Sequence, residues 1–319
     1  MGTGVALISL VNSISVCMLA SPNVRQDWKF GVEAWRTMTN HLNDKPNPME
    51  QQMKAREAMQ RIPHKFLVMS GKGGVGKTSV AVNLAFAFGK LGYSVGLMDV
   101  DIHGPNVPTM AGTEGQQAVI EMGKIAPVIG SYGVKILSIS EFLPDPDSPI
   151  IWRGPMKMGA IQQFMSDADW GGTEVLVVDC PPGTGDEPLT VTQLMPDAEG
   201  AIIVTTPQDV ALLDSRKSVN FALKLKLPVA GIVENMSGFV CPHCSERIDL
   251  FKTGGGEKAA NQLKVPFLGR IPMVHEMVTA GDSGSPLVES APDNPAAQAL
   301  LDIANKLREG WDAPNSEEG

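Results

Sequence analysis

From Lys65 onward, apolar residues come in short continuous runs separated by longer stretches of helical spacing. Phe66-Leu67-Val68-Met69 and Val95-Gly96-Leu97-Met98 are the first two runs. Residues 134–139, 175–178, 201–204 and 229–233 continue the series. Runs without polar alternation predict strands covered on both faces. Between them, residues 78–90 place Val82, Ala85, Phe86 and Gly89 along one helical face, and residues 156–168 and 210–226 also read as helices. Gly92 suits the C-terminal stop of the first helix. This alternation predicts an α/β fold, a doubly wound and mostly parallel sheet with helices on both faces.

Residues 1–60 lack that alternation and read as a poorly specified N-terminal extension, with helix expected only near 55–61. The regular domain is expected over 61–310, and the polar stretch 311–319 as a disordered tail. Residues 5–20 are largely apolar, but the first basic residue is Arg25, so the basic start of a secretory signal is missing. The run is also short for a membrane span. An overlong reading frame, with Met49 as a plausible shorter start, is the preferred account. An amphipathic membrane anchor is the other.

The chain has 319 residues, 43% apolar and 19% charged, enough for one large α/β domain with a buried core. A net charge of −9 argues against a broad basic face for nucleic acid. The four cysteines do not make a disulfide framework. Their usage suits a reducing cytoplasm.

The second signal is chemical. Gly71-Lys72-Gly73-Gly74-Val75-Gly76-Lys77-Thr78 matches the GxxxxGK(S/T) phosphate loop, after a predicted strand and before a predicted helix. Glycines let backbone N–H groups turn toward phosphate oxygens, and the helix start adds its positive dipole end. Lys77 is placed to reach the β- and γ-phosphates of ATP, and the Thr78 hydroxyl to ligate Mg²⁺. Ser79 completes the expected nucleotide-binding set. The domain therefore reads as a P-loop NTPase.

Acidic residues follow later strands. Asp99 and Asp101 come after the second, where strand C-termini line the ligand crevice of a doubly wound sheet. Two carboxylates there can hold the Mg²⁺ shell or orient water. Val175-Leu176-Val177-Val178-Asp179 has the Walker B form, with Asp179 reaching Mg²⁺ through water. Cys180 reads as a structural residue at that strand's end. Asn235 ends the run that starts at Val229. Its amide can both donate and accept hydrogen bonds, and a capping role fits equally well.

The form GKGGVGKT resembles the deviant Walker A loop of the MinD, ParA and nitrogenase iron protein superfamily. That resemblance implies a face-to-face homodimer in which Lys72 reaches the partner's nucleotide. It also implies a water-activating role for Asp101, a γ-phosphate contact from the Gly183 N–H in the second switch (Cys180-Pro181-Pro182-Gly183-Thr184-Gly185-Asp186), and a base contact from Asn235. Further blocks are similar to the Mrp/NBP35 family: Asp101-Ile102-His103-Gly104-Pro105-Asn106-Val107-Pro108, Trp152-Arg153-Gly154-Pro155, Thr205-Thr206-Pro207-Gln208-Asp209 and Glu234-Asn235-Met236-Ser237. The likeness runs from about residue 65 to 307. It implies an ATP-hydrolysing iron–sulfur cluster carrier that takes its cargo from an assembly scaffold and passes it to apo iron–sulfur proteins.

Cys241-Pro242-His243-Cys244 lies where that family keeps its cluster-binding CxxC. Two thiolates per chain, doubled in a homodimer, would complete a 4Fe–4S site through Cys241 and Cys244. A structural zinc site uses the same four thiolates. A redox CxxC would need a thioredoxin-like setting, and His243 is expected to be exposed. The N-terminal region carries only Cys17, so the second, ferredoxin-like cluster of some eukaryotic members is not expected. A MinD- or ParA-type positioning ATPase is the rival from another class. The acidic C-terminal end argues against a MinD-type membrane helix, and the net charge against a DNA face. A zinc-stapled regulatory ATPase is the third reading. The expectation is no nucleic-acid and no membrane partner.

Overall fold

The computed structural model describes residues 48–311, apart from His103, Met122, residues 143–153, Pro242 and Ser245. The readings made on residues 1–47, Cys17, His103, Trp152, Arg153 and 312–319 lie outside the described residues.

In chain order the strands are β1 (His64–Met69), β2 (Val95–Asp99), β3 (Val119–Glu121), β4 (Lys124–Ala126), β5 (Val128–Ile129), β6 (Lys135–Leu137), β7 (Val175–Asp179), β8 (Gly200–Thr205), β9 (Val229–Glu234), β10 (Phe239–Val240), β11 (Arg247–Ile248) and β12 (Phe267–Arg270). The α-helices are α1 (Pro48–Gln60), α2 (Lys77–Lys90), α3 (Val107–Ala111), α4 (Gly154–Asp167), α5 (Asp186–Leu194), α6 (Asp209–Lys224), α7 (Gly255–Leu263), α8 (Glu276–Asp282), α9 (Leu287–Ser290) and α10 (Pro295–Leu307).

One sheet runs β12-β9-β8-β1-β7-β2-β6-β5. Its pairs are parallel except β5–β6, which is antiparallel. β1 lies between β7 and β8, so the chain leaves it in one direction for β2 and later fills the other side. The phosphate loop follows β1, at the switch point where an open α/β sheet forms its ligand crevice.

Side chains alternate across the sheet. Phe66 and Val68 face one apolar cluster, shared with α2 and α10, while Leu67 and Met69 face a second, shared with α1 and α4. β1, β2, β7 and β8 are buried almost throughout, as continuous apolar runs require. Helix α1 begins earlier than the apolar pattern suggests. It packs on α4 and buries Ala55 and Met59.

The edges differ from the sequence reading. The run 134–139 gives only a three-residue strand, because Ile139–Phe142 turns into a 3₁₀ helix. β12 escapes the apolar pattern because Gly269 interrupts it. A Cβ there would lie 3.1 Å from Ile303 Cγ1 of α10.

At the N-terminal end of β1, Trp311 stacks on His64 with ring centroids 3.5 Å apart. It also packs against Phe66, Phe88 and Tyr93. This cluster fixes the far end of α2, the helix that starts at the phosphate loop. Phe88→Ala should therefore cost about 3–5 kcal/mol of stability, the usual loss for a buried aromatic truncated to alanine. Urea denaturation followed by circular dichroism checks this, and a loss under about 1 kcal/mol would contradict the packing described.

Candidate functional site

The loop between β1 and α2 turns through Gly76, whose φ of 77° is the left-handed conformation that glycine adopts without a Cβ penalty. A side chain there would also collide with Asn235, since a Cβ would lie 2.3 Å from its Nδ2. Gly71 has no room for another reason. A Cβ at that position would lie 2.2 Å from the carbonyl oxygen of Asp214 in α6. The loop is thus held between α6 on one side and the end of β9 on the other.

Lys77 opens α2 and is buried. Its Nζ donates to Asp179 Oδ1 at 2.5 Å, and Thr78 Oγ1 donates to Asp179 Oδ2 at 2.8 Å. Burial alone would lower the Lys77 pKa. The Asp179 carboxylate beside it, helped by Asp99 and Asp101, outweighs that, so its pKa stands above the usual lysine value. Asp179 is itself fully buried at the end of β7.

β2 and β7 lie side by side, in register at Asp99 and Asp179. Burial, then repulsion from Asp179, drives the Asp99 pKa well above the ordinary carboxylate range. Asp99 accepts from the Asp101 N–H at 2.9 Å and the Ser138 hydroxyl at 3.1 Å. Burial raises the Asp179 pKa too, but there the Lys77 ammonium and the Thr78 hydroxyl oppose the rise. Asp101 is only partly buried. It lines the cavity that Asp99 supports from behind.

That cavity has a volume of about 550 Å³, a size that suits a nucleotide. Lys72, Gly73, Gly74, Val75, Gly76, Lys77, Thr78, Ser79, Asp101 and Asn235 all line it. Asn235 Nδ2 donates to the Val75 carbonyl at 2.9 Å. Pro182 and Ser70 line the cavity but Gly183 does not, and its N–H donates to the Ser70 carbonyl at 2.8 Å. A phosphate contact would require that bond to open.

Sequence reasoning missed the wall opposite the phosphate loop, where Pro272, Met273, Val274 and Met277 line the cavity. The available signal was Pro272, which closes the short run from Phe267 as a strand end. It also missed Glu141, in the turn after β6. Glu141 Oε2 accepts the Ser138 N–H at 3.1 Å, while Oε1 has no hydrogen-bond partner among the described residues. A single charged residue, Glu141, in a stretch of apolar residues and serines from Leu137 to Phe142 was the signal.

The two thiols lie elsewhere. β10 and β11 form a hairpin between β9 and α7, and the Cys241 N–H donates to the Glu246 carbonyl at 2.9 Å across its turn. Cys241 is partly exposed and Cys244 is exposed. The N–H groups of Cys244 and His243, with the Cys244 thiol, lower the Cys241 pKa. Among the described residues no group of three or more His, Cys, Asp or Glu side chains could hold a metal. Cys180, by contrast, is buried at the end of β7, and desolvation raises its pKa.

A phosphate-type loop at the switch point of a parallel sheet, backed by a buried lysine–aspartate pair, defines a P-loop NTPase. Over residues 61–308 the chain matches the family described as ParA: NUBPL iron-transfer P-loop NTPase, and it belongs to that family. An iron-sulfur cluster carrier protein of Methanocaldococcus jannaschii is 52% identical over 239 residues, covering 75% of this chain and 82% of the relative. One from Methanococcus maripaludis is 49% identical over 272 residues, covering 85% and 93%. Among solved structures, a nucleotide-binding protein of Archaeoglobus fulgidus in complex with ADP is 36% identical with a TM-score of 0.65, covering 73% of this chain and 91% of that one. The cell division ATPase MinD of Pyrococcus furiosus shares the fold at 22% identity and a TM-score of 0.59, covering 78% and 99%. No helix among the described residues is long and apolar enough to cross a membrane.

The buried Glu141 gives a pH test. Burial raises its pKa from 4.5 to about 8. The folded protein therefore binds this proton more tightly than the unfolded chain. Its contribution to stability is fully present below pH 4.5 and is lost as pH rises toward about 8. Glu141→Gln, which cannot ionise, should flatten the fall of melting temperature between pH 5.5 and pH 8 relative to the wild type. Parallel slopes for the two proteins would contradict the assignment.

Proposed function

We propose that this chain is an ATP-hydrolysing carrier that holds a 4Fe–4S cluster between two copies of itself and passes it to apo iron–sulfur proteins. The observation that carries this reading is the shared origin of two sites on one strand end. β9 leads directly into Asn235 at the nucleotide cavity, and the same segment continues into the hairpin that presents Cys241 and Cys244. Two thiols cannot complete a four-thiolate site, and no third ligand stands near them among the described residues. A second copy supplies the missing pair, so the proposed working unit is a homodimer. An assembly scaffold would load it in the cytoplasm. The domain that does this work is taken as 61–310.

In this reading the loop N–H groups and Lys77 hold the ATP phosphates, and Lys72 serves the partner's nucleotide. Lys72 lines the cavity; its carbonyl accepts from the Ser70 hydroxyl at 3.0 Å, while its ammonium meets no acceptor among the described residues. Thr78 and Asp179 are hard oxygen donors already in mutual contact, and they fit Mg²⁺, which when bound neutralises phosphate charge. Asp101 orients the attacking water. Gly183 exchanges its bond to Ser70 for the γ-phosphate. Asn235 reads the base. A MinD- or ParA-type positioning role is disfavoured, because the carriers compared above stand at 52% and 49% identity and the MinD structure at 22%.

Lys77→Ala should abolish ATP hydrolysis, because it removes the charge that meets the transferring phosphoryl group. Asp101→Asn should still bind ATP but turn it over at least about 100-fold more slowly, the scale of a lost general base. A phosphate-release assay measures both, and wild-type rates in either variant would move the role elsewhere.

Anaerobic reconstitution with iron and sulfide tests the cargo. About four irons per dimer are expected, by the stoichiometry of a four-thiolate cluster. Cys241→Ala or Cys244→Ala should lose the cluster's visible absorbance and keep ATP binding. Stoichiometric zinc with no uptake of iron would favour the zinc-stapled reading.

A further inference from the structure

The hairpin with the two thiols belongs to an excursion, residues 235–254, that leaves the sheet after β9 and returns at α7. Both ends of it converge on one side chain. Glu234, the last residue of β9, is completely buried. Its Oε1 accepts from the Ser237 hydroxyl at 2.6 Å and from the Gly254 N–H at 2.9 Å. Its Oε2 accepts from the Gly256 N–H at 2.5 Å. Arg270 Nε of β12 lies 3.6 Å from Oε1. A buried carboxylate is costly unless its lone pairs are filled, and here the donors come from the outgoing chain, the incoming chain and a neighbouring strand. Two of them belong to the start of α7, where free N–H groups favour an anion.

The contacts are enforced by close packing. Gly255 leaves no room for a side chain, since a Cβ would lie 2.2 Å from the Pro207 carbonyl oxygen, and one at Gly256 would lie 2.9 Å from Glu234 Cβ. On the nucleotide side, Ser237 N donates to Ile271 O at 2.9 Å and Met273 N to Gly238 O at 2.8 Å. These bonds join the stem of the excursion to Pro272 and Met273, which line the cavity. The next residue after Glu234 is Asn235, whose amide is bonded to the phosphate loop at Val75. A nucleotide that takes that amide for its base must break its bond to Val75, one residue along the chain from the buried carboxylate.

We propose that Glu234 is a positioning residue that couples nucleotide occupancy to the presentation of Cys241 and Cys244. The meaning of those thiols rests on the carrier reading above, but the coupling itself is measurable without a cluster. Glu234→Gln keeps the shape and replaces one acceptor oxygen with a donor amide, which then faces N–H or O–H donors. Ser237→Ala is a milder cut that removes only the outgoing tie.

The experiment is alkylation of the full-length, reduced, cluster-free protein by iodoacetamide, read peptide by peptide by mass spectrometry, with and without a non-hydrolysable ATP analogue and Mg²⁺. Buried Cys180 is the internal control for unfolding. In the wild type the analogue should change the Cys241 and Cys244 rates by about fivefold or more, the low end of coupling between sites. In Glu234→Gln that response should disappear, while calorimetry shows the analogue still binding with affinity within about threefold of wild type and Cys180 stays protected. Ser237→Ala should give a response between the two. If Glu234→Gln exposes Cys180, Ser237→Ala decides alone. A full wild-type response in the folded Glu234→Gln or in Ser237→Ala overturns the proposal, as does a wild type whose thiols ignore the analogue. Zinc in place of iron on reconstitution would instead sink the carrier reading and leave these rates unaffected.

Discussion

Inside the protein a lysine ammonium and an aspartate carboxylate meet at 2.5 Å, both almost cut off from water. A buried ion pair of this kind gives little net stability, but each partner is strongly constrained by the other, because losing one strands a charge in a poor solvent. Lys77 therefore fixes where α2 begins, and Asp179 fixes where β7 ends. The loop before Lys77 has to turn tightly to bring the two together. Asp99, alongside on β2, has no cation in contact with it among the described residues and becomes a hydrogen-bonding support for the Asp101 backbone. The whole phosphate end of the cavity is arranged around an attraction that an incoming phosphate can compete for.

Much of this arrangement was legible from the chain alone. The central strands are solvent-free on both faces, so their sequences contain little but apolar residues, and the polar residues at or just past their ends stand out, among them Asp99, Asp179 and Asn235. The glycine-rich loop was equally clear, since only glycine fits where an added Cβ would lie 2.2 Å from the Asp214 carbonyl oxygen, as at Gly71. The periphery was not legible. β5 and β12 are short, and one owes its glycine to a contact with Ile303 more than two dozen residues later along the chain. Pro272 apart, the methionine-rich wall of the cavity carries no local pattern, because apolar residues that line a ligand look like apolar residues that fill a core. Glu141 and Glu234 could be seen as acids beside apolar residues, but what they do could not, for a different reason. Their importance lies in burial, and burial of an acid depends on donors brought from distant segments.

The two thiols show the reverse case. Their spacing was plain in the sequence, and the fold adds the setting that spacing cannot give. They sit on a two-stranded hairpin too small to be stable by itself, so its position has to come from the stem. The stem is held by hydrogen bonds to residues 271–273 and by the carboxylate of Glu234. Reactive sulfur is thereby kept at the surface, while the groups that aim it stay dry.

The parallel direction of the strands separates the molecule into two poles. Phosphate loop, acids, Asn235 and the thiol hairpin all leave from the C-terminal ends of strands, whereas Trp311 stacks on His64 at the N-terminal end of β1. A surface anchor or fluorescent reporter joined after Trp311 thus starts its path from the pole away from both sites. Immobilised through that end, the protein would present nucleotide cavity and thiols together to whatever flows past, an orientation that an anchor near α8 would obstruct.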